Sequence, residues 1–223
     1  MGTLTKYQID STGCNIFVET GTGSGGSLLH AYASGAFDKL YSVEIHKESA
    51  EKVMAHFAGI SAVKIYNATS EDALKDIFTQ ISSNDRVFFF LDAHFPGEHA
   101  ADFLGYDEIK GDSLTLPLET ELELIRNSRP NSNDVIVVDD LRIYENGPFE
   151  RGNLPDNFGG LPVEIRNIDF VNNLFGSRKI KKDYRDEGYL IISQGDDNFN
   201  FVRLTKFQRL IRNIKRRFSK KID

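Results

Sequence analysis

Short apolar runs alternate along this chain with segments of helical spacing. The runs are "NIFVE" (Asn15–Glu19), "LYSVEI" (Leu40–Ile45), "VKIYN" (Val63–Asn67), "RVFFFLD" (Arg86–Asp92) and "DVIVVDD" (Asp134–Asp140). They show little inward/outward alternation, as expected of strands covered on both faces of a parallel sheet. Between them, "SLLHAYASGAF", "KESAEKVMAHFAG", "SEDALKDIFTQI" and "LETELELIRN" repeat their apolar positions at helical intervals. The pattern predicts an α/β fold with a doubly wound, mostly parallel sheet. Late in the chain, "RKIKKDYRDEGYLIIS" (Arg178–Ser193) reads as two strands about a turn at "RDEG", so a C-terminal antiparallel hairpin brings the sheet to seven strands.

Two connections are longer than this fold needs. Phe95 to Leu116 follows the fourth strand and Arg142 to Leu161 the fifth. Both leave the carboxyl ends of strands, where open α/β sheets bind ligands, and loops of this length serve as lids or as plain surface excursions. Residues 1–202 read as one domain. From 203 to 223 the apolar residues Phe207, Leu210, Ile211, Ile214 and Phe218 form one stripe of a basic amphipathic helix.

Charge sharpens that division. The net charge of −6 conceals a basic tail, with nine Lys/Arg and one acid from Arg203 to Asp223, on a body holding 18 basic and 32 acidic residues. So acidic a body argues against a broad nucleic-acid-binding face there, which needs clustered Lys and Arg. The tail suits docking on the body, pairing with another chain in a homo-oligomer, contact with an anionic membrane or, least of these, contact with nucleic acid. The single cysteine, Cys14, forms no internal bridge. With no signal-like or membrane-length apolar run, the expected location is cytoplasmic, with peripheral membrane contact through the tail.

The candidate chemistry begins at "FVETGTGSGG" (Phe17–Gly26). Glycines directly after a strand let a ligand approach the backbone, and the helix that follows offers free N–H groups. No Gly-Lys-Ser/Thr follows, so this is not a P-loop. The stretch does fit G-x-G-x-x-G, and Glu44 at the end of the second strand suits a ribose, which keeps an NAD-linked oxidoreductase in view. Glu19 weighs the other way. A carboxylate two residues before Gly21 repels a pyrophosphate but attracts a cationic amino or sulfonium group.

A second constellation lies at "LDAH" (Leu91–His94) and "VVDDLRIY" (Val137–Tyr144). In the expected strand order these strands are neighbours, so Asp92, Asp139 and Asp140 converge. Three carboxylates repel one another unless they are protonated or bind a metal, and hard oxygen ligands suit Mg²⁺, Mn²⁺ or Ca²⁺. His94 is a base, a further ligand, or a histidine that simply bonds its loop. Glu119 and Glu121 read as solvated helix charges.

"VETGTGSGG" resembles the first motif of class I S-adenosylmethionine-dependent methyltransferases. The resemblance implies a Rossmann-like methyltransferase fold. It places Glu19, Thr20, Gly21, Thr22, Gly23 and Ser27 along the cofactor near its methionine end, Glu44 and Ile45 at the ribose, Asn67 to Ser70 beside the adenine, and Asp92 at the methyl-donor side. The acids after strands four and five are similar to those of metal-dependent O-methyltransferases of the catechol type. That likeness implies a metal on Asp92, Asp139 and Asp140 and catalysis by Asp92 and His94. Read together, "VETGT", "YSVEI", "FLDAHFPG", "LPLETELELI" and "VVDDLRIY" look like a bacterial and viral group of methyltransferase-like proteins with "LDAH" and "DDLR" blocks, over about Phe17 to Tyr144. The chain departs from that group at "NATS", where Gly-Asp-Ser is common. The implied function is metal-assisted O-methylation of a hydroxylated small molecule or glycan. A non-catalytic or regulatory cofactor-binding protein and an NAD-linked enzyme are the alternatives.

Overall fold

A computed structural model describes residues 3–9, 12–94, 116–156, 166–194, 202–205 and 208. The loop expected from Phe95 lies outside the described residues apart from Leu116, the second loop is described to residue 156, and most of the basic tail also lies outside. In chain order the elements are β1 (Tyr7–Gln8), β2 (Ile16–Thr20), α1 (Gly26–Ser34), β3 (Lys39–Glu44), α2 (Lys47–His56), β4 (Val63–Asn67), α3 (Ser70–Gln80), β5 (Val87–Leu91), α4 (Leu118–Ser128), β6 (Val135–Val138), α5 (Asp169–Phe175), β7 (Lys179–Asp183), β8 (Tyr189–Ser193) and β9 (Val202–Arg203).

The main sheet has seven strands in the order β4-β3-β2-β5-β6-β8-β7. The first five are parallel; β8 enters antiparallel beside β6, and β7 pairs antiparallel with β8. The expected hairpin therefore closes the sheet with its second strand inward. From β2 the chain winds outward through β3 and β4, then returns to β5 on the other side of β2. The carboxyl ends of β2 and β5 thus flank the topological switch point, where such sheets hold ligands.

Burial explains the continuous apolar runs. All five residues of β5 are buried, with Phe88 and Phe90 packed in one core and Val87, Phe89 and Leu91 in the other. A strand with an apolar core on each face has no polar alternation to display. The helices match their predicted positions, with earlier ends for α1 and α2. Gly35, at φ 67, stops α1 by donating its N–H to the Tyr32 carbonyl.

Three elements, α5, β1 and β9, were not anticipated. The seven-residue α5 is short for a periodicity signal, and β1 and β9 pair as a two-stranded antiparallel sheet of only two residues each. This small sheet ties the start of the basic segment to the N-terminal segment. Just beyond it, the Gln208 N–H donates to Thr205 Oγ1 at 3.2 Å and the Thr205 N–H to Gln208 Oε1 at 2.9 Å. This reciprocal pair has the form of a capping box. No described helix is long and apolar enough to cross a membrane.

Candidate functional site

The glycine loop leaves β2 and leads into α1. Gly21, at φ 80, lies so close to the chain leaving β5 that a Cβ there would stand 2.2 Å from the Asp92 carbonyl oxygen. Only glycine fits that contact and that backbone. Gly23, at φ 52, has nothing within 4 Å of a Cβ position, so its glycine serves the left-handed turn and borders open space. The Asp92 N–H donates to the Thr20 carbonyl at 3.1 Å, which holds the ends of β2 and β5 level.

Both predicted anchor acids are buried and engaged. Glu44 accepts from the Gly23 N–H at 2.7 Å and from the His46 N–H at 2.8 Å, clasping the loop to the end of β3. The Asn67 amide donates to the Glu44 and Ile45 carbonyls at 3.0 and 3.1 Å, bracing the same corner from β4. Glu19 accepts hydroxyl hydrogen bonds from Ser27 and Ser42, each at 2.6 Å. Thr22 extends this cluster, its hydroxyl 2.5 Å from that of Ser42. Burial pushes the Glu19 carboxyl up to about 7; the two hydroxyls oppose the rise and the Glu44 charge adds to it. Ser70 opens α3, whose N-cap Thr69 accepts the Asp72 N–H at 3.1 Å.

Across the switch point, β5 and β6 deliver the second group. One ligating atom each from Asp92, His94 and Asp140 lies within 4.8 Å of the others. His94 Nε2 is 3.3 Å from Asp140 Oδ2 and 3.8 Å from Asp92 Oδ1. The histidine side chain is only 2% exposed against 22% for Asp92 and 31% for Asp140, so the carboxylates form the open side of the cluster. Sequence reasoning grouped Asp139 with the two aspartates, but the structure brings His94 there instead. Asp139 is turned inward, 3% exposed, with its Oδ1 accepting the Asp140 N–H at 2.9 Å. That bond helps hold Asp140 in its left-handed conformation, φ 51.

The electrostatics follow this arrangement. Burial and the neighbouring charges of Asp139, Asp140 and Glu19 hold Asp92 well above the usual carboxylate range. Burial acts on Asp140 too, but the His94 hydrogen bond and charge, with Arg142 and Arg151, outweigh it and hold Asp140 low. Burial alone would depress His94; Asp140, Asp139 and Glu121 outweigh it and raise the imidazole. Two carboxylates and an imidazole fit a divalent cation, and the nitrogen donor widens the choice from Mg²⁺ toward Mn²⁺.

Glu121 is the residue sequence reasoning missed. Far from solvated, it is 1% exposed, on the inner face of α4 among Leu118, Leu122 and Ile125. Burial raises its pKa, and the nearby Ser70 and Thr20 hydroxyls ease the rise. Its Oε1 nevertheless completes no hydrogen bond among the described residues, and neither do Thr20 Oγ1 and the Tyr144 hydroxyl. The available signal was spacing, since Leu118, Glu121, Leu122 and Ile125 fall on one helical stripe.

No protein-family model matches the sequence, and no curated protein matches it. Solved structures do match in fold. A Staphylococcus aureus protein assigned as a caffeoyl-CoA O-methyltransferase aligns over 82% of this chain and 78% of its own, at 14% identity and TM-score 0.55. An O-methyltransferase from Bacillus cereus, solved in complex with SAH, aligns over 82% and 76%, at 14% identity and TM-score 0.51. Spermidine synthase from Thermotoga maritima aligns over 92% and 68%, at 11% identity and TM-score 0.50. At such identities the likeness is one of architecture: the chain has the Rossmann-like methyltransferase fold.

Proposed function

We propose that the protein is an S-adenosylmethionine-dependent O-methyltransferase, assisted by a divalent cation, that acts on a hydroxylated small molecule or glycan. One observation carries the reading: the glycine loop, gripped by Glu44, touches the chain leaving β5, so the cofactor cleft and the Asp92–His94–Asp140 group share a wall. Such a juxtaposition suits a reaction joining a bound methyl donor to an adjacent oxygen. The O-methyltransferases among the fold neighbours support it.

In this reading Glu44 accepts hydrogen bonds from the ribose hydroxyls, and the glycine loop passes the methionine end, where the sulfonium charge would draw Glu19 and Asp92 toward their ionised forms. The acceptor hydroxyl sits over the carboxylates, which form the accessible side of the cluster. Asp92, His94 and Asp140 would hold the cation, while Asp139 orients Asp140 from within. A cation bound there supplies Lewis acidity toward the acceptor hydroxyl. Transfer would form an oxygen–methyl bond as the carbon–sulfur bond breaks with its electrons left on sulfur, and the hydroxyl proton would pass to solvent water.

The 3.3 Å approach of His94 Nε2 to Asp140 favours a second, cation-free reading of the same site. There the neutral imidazole takes up the hydroxyl proton, and Asp140, paired with Nε2, stabilises the imidazolium. Calorimetric titration with Mg²⁺ and Mn²⁺ separates the two. Metal assistance requires binding to the wild type that is weakened in Asp92→Asn and Asp140→Asn. Asp139→Asn, whose side chain keeps an oxygen for the Asp140 N–H, tells a scaffold from a ligand by how much affinity it retains. Absence of metal binding in the folded wild type leaves the histidine-base reading.

A further inference from the structure

Arg142, the arginine of the DDLR block, is not used by the proposed transfer. It lies in the short 3₁₀ turn Leu141–Ile143 that follows β6, two residues beyond Asp140. Its backbone is held on both sides: the N–H donates to the Glu187 carbonyl at 3.2 Å, and the carbonyl accepts from Arg166 Nη2 at 2.9 Å. Arg166 also donates through Nε to the Ile143 carbonyl at 3.1 Å, so one guanidinium clamps the turn. A side chain carried on so fixed a backbone is pre-organised for whatever it binds.

The guanidinium of Arg142 itself is left over. Its Nε stands 3.8 Å from Asp140 Oδ1 and its Nη2 3.9 Å from Glu187 Oε1, both beyond hydrogen-bond range. Each acid has a closer partner, His94 at 3.3 Å for Asp140 and Arg151 at 3.0 Å for Glu187. Nε is enclosed without an acceptor, and the Arg142 side chain completes no hydrogen bond among the described residues. Yet that side chain is 22% exposed, beside the Asp140 carboxylate on the open side of the cluster. A charged fork without acceptors, next to an accessible site, calls for a ligand that brings oxygens to it.

Charge and shape define that ligand. A neutral acceptor makes no use of a guanidinium, and a cationic one is repelled by Arg142 and Arg151 together. The planar fork matches a carboxylate or a phosphate, which it can meet with two parallel N–H···O bonds. Because Arg142 borders Asp140, the anionic group must sit close to the hydroxyl held over that carboxylate, not at a remote end of the molecule.

We infer that Arg142 binds an anionic group, a carboxylate or phosphate, carried by the methyl acceptor near its reacting hydroxyl, and so restricts the acceptors to hydroxylated anions. The inference rests on the reading of this cleft as a methyl-transfer site and adds to it the charge of the substrate.

Nuclear magnetic resonance of the ¹⁵N-labelled full chain in Mg²⁺ buffer tests this with three probes: lactate, its neutral isostere lactamide, and inorganic phosphate. The Arg142 Nε–H signal, identified by its absence in Arg142→Gln, is expected to shift saturably with lactate, with phosphate or with both, but not with lactamide. A response to phosphate alone points to a phosphorylated acceptor, and one to lactate to a hydroxy acid. Read from the backbone amides, Arg142→Gln should bind the responding anion about tenfold or more weakly, as for charged hydrogen bonds lost, while Arg151→Gln should keep most of the affinity. No response to either anion, an equal response to lactamide, or unchanged affinity in Arg142→Gln would each overturn the inference. The lactate–lactamide comparison needs no variant, so poor folding of Arg142→Gln does not shield it. Titration of the same wild-type sample with S-adenosylhomocysteine separates the two readings: binding there without any anion response overturns the anion site alone, and failure to bind overturns the methyl-transfer reading as well.

Discussion

Gly21 and Asp92 touch backbone to backbone across the switch point: a Cβ on the first would lie 2.2 Å from the carbonyl oxygen of the second. The loop that would carry the cofactor is thus seated on the strand end that would carry the metal. Gly21→Ala should disturb both halves together. The left-handed backbone alone costs about 1–2 kcal/mol for alanine, and the contact adds to it. We expect a lowered melting temperature with weakened binding of both S-adenosylmethionine and Mn²⁺. Loss of one ligand with full retention of the other would show that the halves are independent.

Glu19 gives the site a pH signature. Its folded value of about 7 lies above the ordinary 4.5, so the folded protein holds this proton more tightly than the unfolded chain. The resulting stability is fully present below about pH 4.5 and is lost as pH rises through about 7. Glu19→Gln should escape that loss. Denaturant unfolding at about pH 5 and about pH 8 should show the wild type losing up to about 3 kcal/mol relative to the variant. Parallel pH profiles would mean that Glu19 stays charged throughout.

The opposite end of the sheet is held by a buried ion pair with no part in the chemistry. Arg129 bonds Asp134 through Nε at 2.6 Å and Nη2 at 3.0 Å and also donates to the Ser82 and Asp85 carbonyls. Asp134 in turn accepts the Val87 N–H at 2.8 Å, fixing the starts of β5 and β6. Arg129→Ala leaves a buried carboxylate without its cation and should cost about 3–5 kcal/mol. Thermal unfolding measures the loss. Cofactor affinity, taken where the variant is still folded, should not change; a change would couple the two ends of the sheet.

The fold was legible because its signals are local. Runs such as Val87–Leu91 are apolar on both faces, and Gly21 and Gly23 mark a turn that other residues resist. The site was legible where acids stand at strand ends, as Glu19, Glu44, Asp92 and Asp140 do. It was less so where the pointing of a side chain decides. Asp139 and Asp140 are adjacent in sequence, yet a left-handed residue sends Asp140 out while Asp139 bonds its neighbour's N–H. Glu121 was misjudged because a charged residue on a helical stripe is ordinarily solvated, and only the packing of α4 on α3 encloses it. The β1–β9 pairing joins residues near the two ends of the chain and has no local signature.

The basic segment beyond β9 yields a prediction about location. Its eight Lys/Arg and apolar stripe suit an anionic surface. Full-length protein is expected to sediment with anionic but not neutral liposomes, with salt weakening the binding. A chain ending at Thr205 keeps β9 and should remain folded and bind cofactor while losing the liposomes. Aggregation of the shortened chain would assign the stripe to the protein's own core or to a second copy.

The loop from Gly21 to Gly25 is expected to receive S-adenosylmethionine with Glu44 as its ribose anchor. Titration calorimetry of the wild type and Glu44→Ala with S-adenosylmethionine and with NAD tests it most directly. Saturable binding of S-adenosylmethionine, none of NAD, and a loss of about 1–3 kcal/mol in the folded variant are expected, as for charged hydrogen bonds removed. Binding of NAD in place of S-adenosylmethionine, or equal S-adenosylmethionine affinity in wild type and variant, would contradict it.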